Sequence, residues 1–330
     1  MSATLAAMLK ELDPDLRIAL VERLPNIAGE SSDGWNNAGT GHAGYCELNY
    51  TPQDAKGSIN IQRALSINAA FEVSLQFWSY LVENNILKAD DFIRATPHLS
   101  FVWGKDNVEF LKKRQTALSQ HPLFEDMQFS EDAATLTQWM PLIMENRNTN
   151  EAAAATKVDY GTDVDFGALT RQLVTHLNTQ QNFDLLLNHN VTRLKQDKRG
   201  IWHVGIRDKV NKKSRSIKAN FVFLGAGGAA LPLLQKSGIP EAKGYGGFPV
   251  GGMWLVCKNE DVIQKHHAKV YGKAALGAPP MSVPHLDTRI IDGEPALLFG
   301  PFAGFTTKFL KRGSLLDLFK SLKPNNLKSM

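Results

Sequence analysis

A polar, glycine-rich loop lies close behind a short apolar run in the first part of this sequence. It reads Gly34-Trp35-Asn36-Asn37-Ala38-Gly39-Thr40-Gly41-His42. Its small residues would let the backbone approach a flat ligand closely, its amides and hydroxyl offer donors and acceptors, and His42 adds a titratable nitrogen. We interpret the segment as a cofactor-contacting loop. A tight surface turn stabilised by asparagine is the alternative.

The residues before this loop predict a nucleotide-binding unit. Residues 2–12 have apolar side chains at helical spacing, and residues 17–22 form a short apolar run that ends at Glu22. At the end of the second strand of a Rossmann unit, such a carboxylate binds the ribose hydroxyls of an adenine dinucleotide. We therefore expect Glu22, with Arg23 beside it, to contact a dinucleotide cofactor.

The usual beginning of a Rossmann unit is absent from this sequence. That beginning is a buried strand followed by the turn Gly-x-Gly-x-x-Gly, which brings a pyrophosphate onto the start of the first helix. Neither precedes residue 2 here. We therefore expect the sequence to be incomplete at its amino terminus.

A second glycine motif, Gly225-x-Gly227-x-x-Ala230, follows an apolar run at residues 220–225. An independent dinucleotide site is one interpretation. Two observations disfavour it: Pro232 lies just inside the following helix, and no convincing acid ends a later strand. We favour a strand that returns to the cofactor-binding sheet, with Gly225 and Gly227 passing close to the cofactor.

Longer motifs are similar to those of a known family. They lie at residues 30–42, 47–52, 97–104, 225–230, 248–252 and 277–289, and they span essentially the whole chain in order. In these motifs the sequence resembles the malate:quinone oxidoreductases. Members of that family are longer at both ends.

The resemblance implies an activity and its partners. It implies an enzyme of the tricarboxylic acid cycle that oxidises (S)-malate to oxaloacetate with FAD as hydride acceptor. Electrons then pass to a membrane quinone. The implied location is the bacterial cytoplasm, peripheral on the inner face of the cell membrane.

The resemblance also implies the fold class, which is α/β with α+β elements. We expect a Rossmann-like FAD-binding domain that lacks its first strand, formed by residues 1–58 and 156–247. A mixed-sheet substrate domain, as in the flavin 2-hydroxyacid and amino-acid oxidoreductases, is expected at residues 59–155 and 248–330. The polar, alanine-rich run at residues 146–156 marks one boundary.

Hydrophobic periodicity predicts the remaining elements. Helices are expected at residues 59–87, 105–120, 131–140 and 165–177. Strands are expected at residues 97–103, 191–194 and 201–206, and a series of strands with glycine and proline turns is expected at residues 248–311.

In the last segment, the residues capable of catalysis or substrate binding concentrate at His285, Asp287 and Arg289. Alternate residues of an extended segment point to the same face, so these side chains can line one surface. A loop histidine, and a surface ion pair of Arg289 with Asp292, are the alternatives. Resemblance to flavin 2-hydroxyacid and amino-acid oxidoreductases makes His285 the expected base and Arg289 the carboxylate clamp, because a guanidinium binds a carboxylate at two points. His42 is the second candidate base.

The expected FAD site combines the first loop with the second glycine motif. It comprises Glu22, Arg23, Ser32, Asn36, Asn37, Gly39, Thr40, Gly41, Gly225 and Gly227. We expect no metal site, because His266-His267 lacks spaced partner ligands and the two cysteines of the sequence, Cys46 and Cys257, are not closely spaced.

The charge distribution bears on possible macromolecular partners. A formal net charge of +4 is too small to indicate nucleic-acid binding. Basic residues nevertheless outnumber acidic ones over residues 195–218, in a predicted β-meander. Solvated turns are one explanation, and a patch attracted to anionic lipid is the other. Since no apolar run reaches the length of a transmembrane helix, we expect surface attachment to a membrane.

Two other functions stay open from the sequence. One is a related FAD-dependent oxidase that acts on another 2-hydroxy acid, such as 2-hydroxyglutarate. The other is a truncated, inactive gene product that does not bind FAD. Turnover of the two acids and the absorbance spectrum of the purified protein distinguish these possibilities.

Overall fold

The computed structural model describes residues 1–148, 150–274 and 283–329. Motif residues 277–282 lie outside the described residues. Within the described part, the α-helices are α1 (Ser2–Leu12), α2 (Gln62–Glu83), α3 (Lys105–Leu118), α4 (Ala133–Trp139), α5 (Pro141–Met144), α6 (Phe166–Leu177), α7 (Ala230–Ser237), α8 (Glu260–Ile263) and α9 (Asp317–Ser321).

The strands of the same residues, in chain order, are β1 (Ile18–Val21), β2 (Ile93–Ala95), β3 (His98–Trp103), β4 (Gln128–Ser130), β5 (Ala153–Val158), β6 (Thr162–Val164), β7 (Phe183–Leu186), β8 (His189–Gln196), β9 (Trp202–Asp208), β10 (Ser214–Ala219), β11 (Val250–Cys257), β12 (Lys269–Tyr271), β13 (His285–Ile291) and β14 (Glu294–Phe305). The chain divides into two compact units. Unit 1 is Met1–Asn37, Phe166–Val250 and Phe305–Met330, and unit 2 is Ala38–Asp165 and Gly251–Gly304.

Unit 1 contains two small sheets. β1 pairs in parallel with β7, while β8, β9 and β10 form an antiparallel meander. The inward side chains of the meander, including Leu194, Val204 and Ile206, form an apolar core with side chains of β1 and β7. α1 packs against α6. Its alanines are buried whereas Met8 and Leu12 are exposed, so α1 buries its small side chains, which permit a close helix approach.

Unit 2 is built on a mixed sheet with the strand order β11-β14-β13-β12-β3-β5-β4. β12 and β3 are parallel, and the other described pairs are antiparallel. β3 is buried on both sides: Val102 packs with side chains of α3, and Leu99 and Phe101 pack with side chains of α4. A short second sheet pairs β2 with β6.

Most elements predicted from periodicity are confirmed. The structure has helices within residues 59–87, 105–120, 131–140 and 165–177, and strands at residues 97–103, 191–194, 201–206 and within 248–311. The expected α/β class with a mixed sheet is likewise confirmed. Among the described residues, no helix combines the length and the apolarity needed to cross a bilayer.

One expected strand is not formed. Residues 221–226 have no ladder partner among the described residues, although Val222 and Leu224 pack into the core of unit 1. The alanines of the run at residues 146–156 enter the buried strand β5. The compact units change at residues 37/38, 165/166, 250/251 and 304/305, and the expected domain limits at 58, 155 and 247 stay predictions.

Candidate active site

The predicted face of β13 exists in unit 2. His285, Asp287, Arg289 and Ile291 are buried and alternate with partly exposed residues, so their side chains share one side of the strand. The period-2 spacing of an extended segment is the physical cause. β13 lies between β12 and β14, where pairing on both sides fixes its orientation.

His285 and Asp287 form a hydrogen-bonded pair on this face. His285 Nδ1 lies 2.7 Å from Asp287 Oδ2. The imidazole ring stacks on Tyr271, with ring centroids 3.9 Å apart, and Trp254 meets it edge-on at 4.8 Å. Nε2 makes no hydrogen bond to any residue that the structure describes. A carboxylate on Nδ1 favours the tautomer in which Nε2 can accept a proton.

Asp287 is fully buried and still favours its charged form. Burial alone would raise the pKa of its carboxyl group. The charge of His285, Lys269 and Arg289 and the hydrogen bond from His285 outweigh burial and lower this pKa. The carboxylate therefore stays ionised and can hold the imidazole in one orientation.

Arg289 is not placed as the predicted clamp. Its buried side chain pairs with Asp163, with Nε 2.7 Å from Oδ1. The same oxygen lies 2.9 Å from Lys269 Nζ in a second ion pair, and Asp163 Oδ2 accepts from the backbone N–H of Ile290 at 3.0 Å. The guanidinium thus belongs to a buried ion cluster of Asp163, Lys269 and Arg289. A clamp would need an accessible fork.

The small residues of the first loop pack against these elements. The loop pairs with β6, since Val164 N–H donates to Gly39 O and Thr40 forms a β-bridge with Asp163. Gly39 has φ +57°, and a Cβ there would overlap the Arg289 guanidinium. Internal packing therefore requires a glycine at this position, independently of any ligand.

The next two loop residues also make internal contacts. Thr40 Oγ1 lies 2.7 Å from the hydroxyl of Tyr271. A Cβ on Gly41 would overlap the Thr162 hydroxyl. The predicted contacts of Gly39, Thr40 and Gly41 with a cofactor stay predictions.

His42 forms a second histidine–carboxylate pair in unit 2. Its Nδ1 lies 2.6 Å from Glu47 Oε1, with the His42 side chain 53% exposed and that of Glu47 only 6% exposed. Burial opposes the protonated form of His42, but the hydrogen bond and charge of Glu47 together raise its pKa. Burial likewise opposes ionised Glu47, yet His42 lowers the pKa of that carboxyl group.

The predicted ribose ligand lies in unit 1. Glu22 follows β1, at the carboxyl end of the parallel pair with β7. Its Oε1 accepts from the backbone N–H of Leu24 at 2.8 Å, which fixes the carboxylate, and Oε2 makes no hydrogen bond to the described residues. This is the position and chemistry that ribose hydroxyls require. Arg23, by contrast, pairs with Glu30 at 3.1 Å and donates to the carbonyl of Arg312.

The asparagine side chains expected at the cofactor form hydrogen bonds within unit 1 that stabilise the first loop. Asn36 donates to the carbonyl of Glu30 at 2.7 Å and accepts from Lys311. Asn37 donates to the carbonyls of Ser31 and Asp33. Ser32 is partly exposed in the same turn. The loop is thereby held in a defined shape beside β1, while direct contacts of these residues with a cofactor stay predictions.

The two glycines of the second motif make close approaches within unit 1. A Cβ on Gly225 would overlap Ser2 Oγ, and Gly227, with φ +54°, lies against Ser31. The motif therefore meets both the start of α1 and the turn beside Glu22. The residues of unit 1 fit an adenine dinucleotide through the Glu22 carboxylate. The predicted contacts of Gly225 and Gly227 with a cofactor stay predictions, because the close neighbours of these glycines are side chains of the same unit.

Sequence reasoning missed several buried polar residues of unit 2. They are Glu47, His98, Asp163, Lys269 and Tyr271. Lys269 did carry a signal: it interrupts the apolar run at residues 268–271, and a lysine inside a buried strand needs a charged partner. The identity of that partner, Asp163, had no sequence signal.

The sequence matches a known protein family over its whole length. A family model described as malate:quinone oxidoreductase matches residues 1–330. A relative from Methylobacillus flagellatus, named "Probable malate:quinone oxidoreductase", is 67% identical over 100% of this chain and 67% of its own length. A relative of the same name from Hahella chejuensis is 64% identical over 99% of this chain and 66% of its own length. The chain thus spans about two thirds of the length of these relatives.

Solved structures with a similar fold are distant in sequence. L-α-glycerophosphate oxidase from Mycoplasma pneumoniae, with FAD bound, superposes with a TM-score of 0.66 at 16% identity, covering 98% of this chain and 78% of that chain. Glycine oxidase from Geobacillus kaustophilus gives a TM-score of 0.62 at 12% identity, covering 92% and 68% of the two chains. These similarities show the fold.

Proposed function

Because the chain belongs to the malate:quinone oxidoreductase family, we propose that its protein oxidises (S)-malate to oxaloacetate, with FAD as hydride acceptor and a quinone as the final electron acceptor. The single observation that most supports this chemistry is the His285–Asp287 pair, 2.7 Å apart on the buried face of β13.

His285 is the proposed base. When malate is oxidised, the C2–H bond breaks with its electron pair and the hydroxyl proton leaves, so that a C=O bond forms. His285 Nε2 takes the hydroxyl proton, and Asp287 holds the opposite nitrogen and stabilises the resulting imidazolium. FAD, when bound, would supply the acceptor for the C2 hydride and the two-electron chemistry that links malate to a quinone. The Glu22 carboxylate is the proposed ligand of the adenosine ribose hydroxyls.

The choice of substrate is tested by anaerobic flavin reduction. In the flavin-loaded protein, (S)-malate is expected to bleach the oxidised flavin, and a quinone analogue is expected to restore its absorbance. The same concentration of 2-hydroxyglutarate should reduce it much more slowly. Faster reduction by 2-hydroxyglutarate would assign the protein to oxidation of that acid, and a purified protein with no flavin absorbance would contradict the proposal.

We also propose that the protein attaches to a membrane surface. On the face of the β8–β10 meander opposite its apolar core, cross-strand pairing places Lys195 and Lys218 on either side of His203. Arg193 and Arg207 lie on the same face and are exposed. Only Asp197 forms a described ion pair there, with His203 at 3.0 Å. Such a face suits anionic lipid headgroups, with roughly 1 kcal/mol from each basic residue near the surface.

The face can be tested by charge reversal. Replacing Arg193, Lys195 and Lys218 with glutamate is expected to weaken binding to anionic vesicles roughly 100-fold or more, because three favourable charges become repulsive. The matched control reverses the exposed Lys56, Lys105 and Lys112 of unit 2, which alters the net charge equally. Vesicle sedimentation at low salt is the measurement. Equal losses in both variants would exclude the meander as the specific contact.

A further inference from the structure

The segment that holds Glu47 is fixed by a buried arginine. Arg114, in α3, is fully buried and donates to the carbonyls of Gly44 and Tyr45 at 3.0 and 3.1 Å and to the Thr51 hydroxyl at 2.9 Å. Burial lowers the pKa of this guanidinium to about 10. Burying a charged guanidinium is costly unless it is hydrogen-bonded. The hydrogen bonds that compensate the Arg114 charge give residues 44–51 a rigid support.

Glu47 lies on this support and is oriented by it toward His42. Only one of its carboxylate oxygens has a described partner, His42 Nδ1 at 2.6 Å, while Oε2 is buried without one among the described residues. A buried carboxylate with so few donors depends strongly on the one it has. The hydrogen bond therefore favours a protonated His42 whose Nε2–H points away from Glu47.

The other cations of this region are committed to internal partners. Lys269 Nζ forms an ion pair with Asp163 Oδ1 at 2.9 Å and donates to the Ala38 carbonyl at 2.9 Å and to the Thr288 carbonyl at 3.3 Å, so its charge is compensated inside unit 2. Arg289 pairs with Asp163, and both side chains are fully buried. Malate is a dianion, so a substrate site here needs a cationic donor that solvent can reach, and His42 is more than half exposed.

We propose that His42, held by Glu47, is the residue that binds a carboxylate of malate, and that Glu47 is the positioning residue that keeps His42 cationic. This inference rests on the proposed function. It gives His42 a binding role in place of the predicted Arg289 clamp, and it leaves proton abstraction to His285. The net charge of the His42–Glu47 pair stays near zero. The Nε2–H of the His42 imidazolium nevertheless donates a charge-assisted hydrogen bond to the substrate carboxylate.

The charged groups around His42 set its pH dependence. Glu47 and Asp287 favour the imidazolium, Lys269 on β12 opposes it, and burial opposes it most; the net effect is a raised pKa. His98 on β3 adds no competing charge, because burial lowers its pKa to about 4. Below the raised pKa of His42 the imidazolium is present, and above it the proton is lost. The KM for malate should therefore rise as the pH increases through this pKa.

The first test is the titration of His42 by NMR with histidine-selective labelling, using His42→Ala to assign its signal. His42 should titrate at a higher pH in the wild type than in Glu47→Gln. Glu109→Gln, which alters an exposed carboxylate of α3 in the same unit, should leave the titration unchanged. Equal pKa values of His42 in the wild type and in Glu47→Gln would overturn the role of Glu47.

The second test separates binding from chemistry in the flavin-loaded protein. Both His42→Ala and Glu47→Gln should raise the KM for malate by about 10- to 100-fold at neutral pH, the usual effect of losing a hydrogen bond to a charged group. The rate of flavin reduction at saturating malate should change little. In Glu47→Gln the increase of KM with pH should begin at a lower pH than in the wild type.

Two outcomes contradict the binding role of His42. A large fall in the saturating reduction rate with an unchanged KM would identify His42 as a base. If malate does not reduce the flavin of the wild-type protein, the proposed function is overturned, and the carboxylate-binding role of His42 with it. The NMR titration would still decide whether Glu47 controls the charge of His42.

Discussion

Reduction of the flavin by malate should be about 10²- to 10⁴-fold slower in Asp287→Asn than in the wild type, the usual contribution of a positioned base. Asp287 accepts from His285 Nδ1 at 2.7 Å, which keeps Nε2 free to accept a proton. An asparagine amide can donate to Nδ1 and reverse the tautomer, so that Nε2 carries the proton and cannot act as a base.

The measurement is stopped-flow flavin absorbance at saturating malate. Asp261→Asn, the same change at an exposed residue of unit 2, is the control and should not alter the rate. Because Asp287 acts through His285, the double variant His285→Ala/Asp287→Asn should be about as slow as His285→Ala alone. A wild-type rate in His285→Ala would show that His285 is not the base, and a wild-type rate in Asp287→Asn would show that Asp287 does not set its tautomer.

The largest effect on stability is expected for Asp163→Asn. This carboxylate lies within 2.9 Å of both Lys269 Nζ and Arg289 Nε, and all three side chains are almost completely buried. Removing one member of a buried ion pair costs about 3–5 kcal/mol, because the remaining charge lacks compensation. Here two cations lose the same partner, so the free energy of unfolding should fall by at least this amount.

A surface pair in the same unit provides the comparison. Lys157 and Asp159 are 2.6 Å apart, but Asp159 is about half exposed. Asp159→Asn should therefore cost about 0–1 kcal/mol, as exposed ion pairs usually do. Denaturant unfolding of both variants measures the difference. If Asp163→Asn were no less stable than Asp159→Asn, the cluster would not hold β6 and β13 together.

Local periodicity was a reliable guide to the elements but not to their surroundings. The pattern at residues 59–87 predicted α2, and alternation at residues 201–206 predicted β9, since both signals come from neighbouring residues. The apolar run at residues 220–225 looked equally strand-like. It forms no strand, because a strand also needs a second backbone to pair with, and residue patterns do not encode that partner.

The same division applies to the site. The spacing of His285, Asp287 and Arg289 was enough to place their side chains on one face, because that follows from the geometry of an extended chain. The role of Arg289 was not determined in this way. Its partner, Asp163, lies more than a hundred residues earlier in the chain and reaches it through β6.

The sequence by itself determined the family, the positions of the strongly periodic helices and strands, and the face that His285 shares with Asp287. Only the tertiary structure decided which charged side chains form buried ion pairs and which remain accessible to solvent. Arg289 and Lys269 form buried ion pairs with Asp163, whereas His42 pairs with Glu47 and remains about half exposed. The physical reason is that burial and ion pairing depend on distances between residues that are remote in the chain. A charged side chain is stable in the low-dielectric interior only if a group of opposite charge lies beside it.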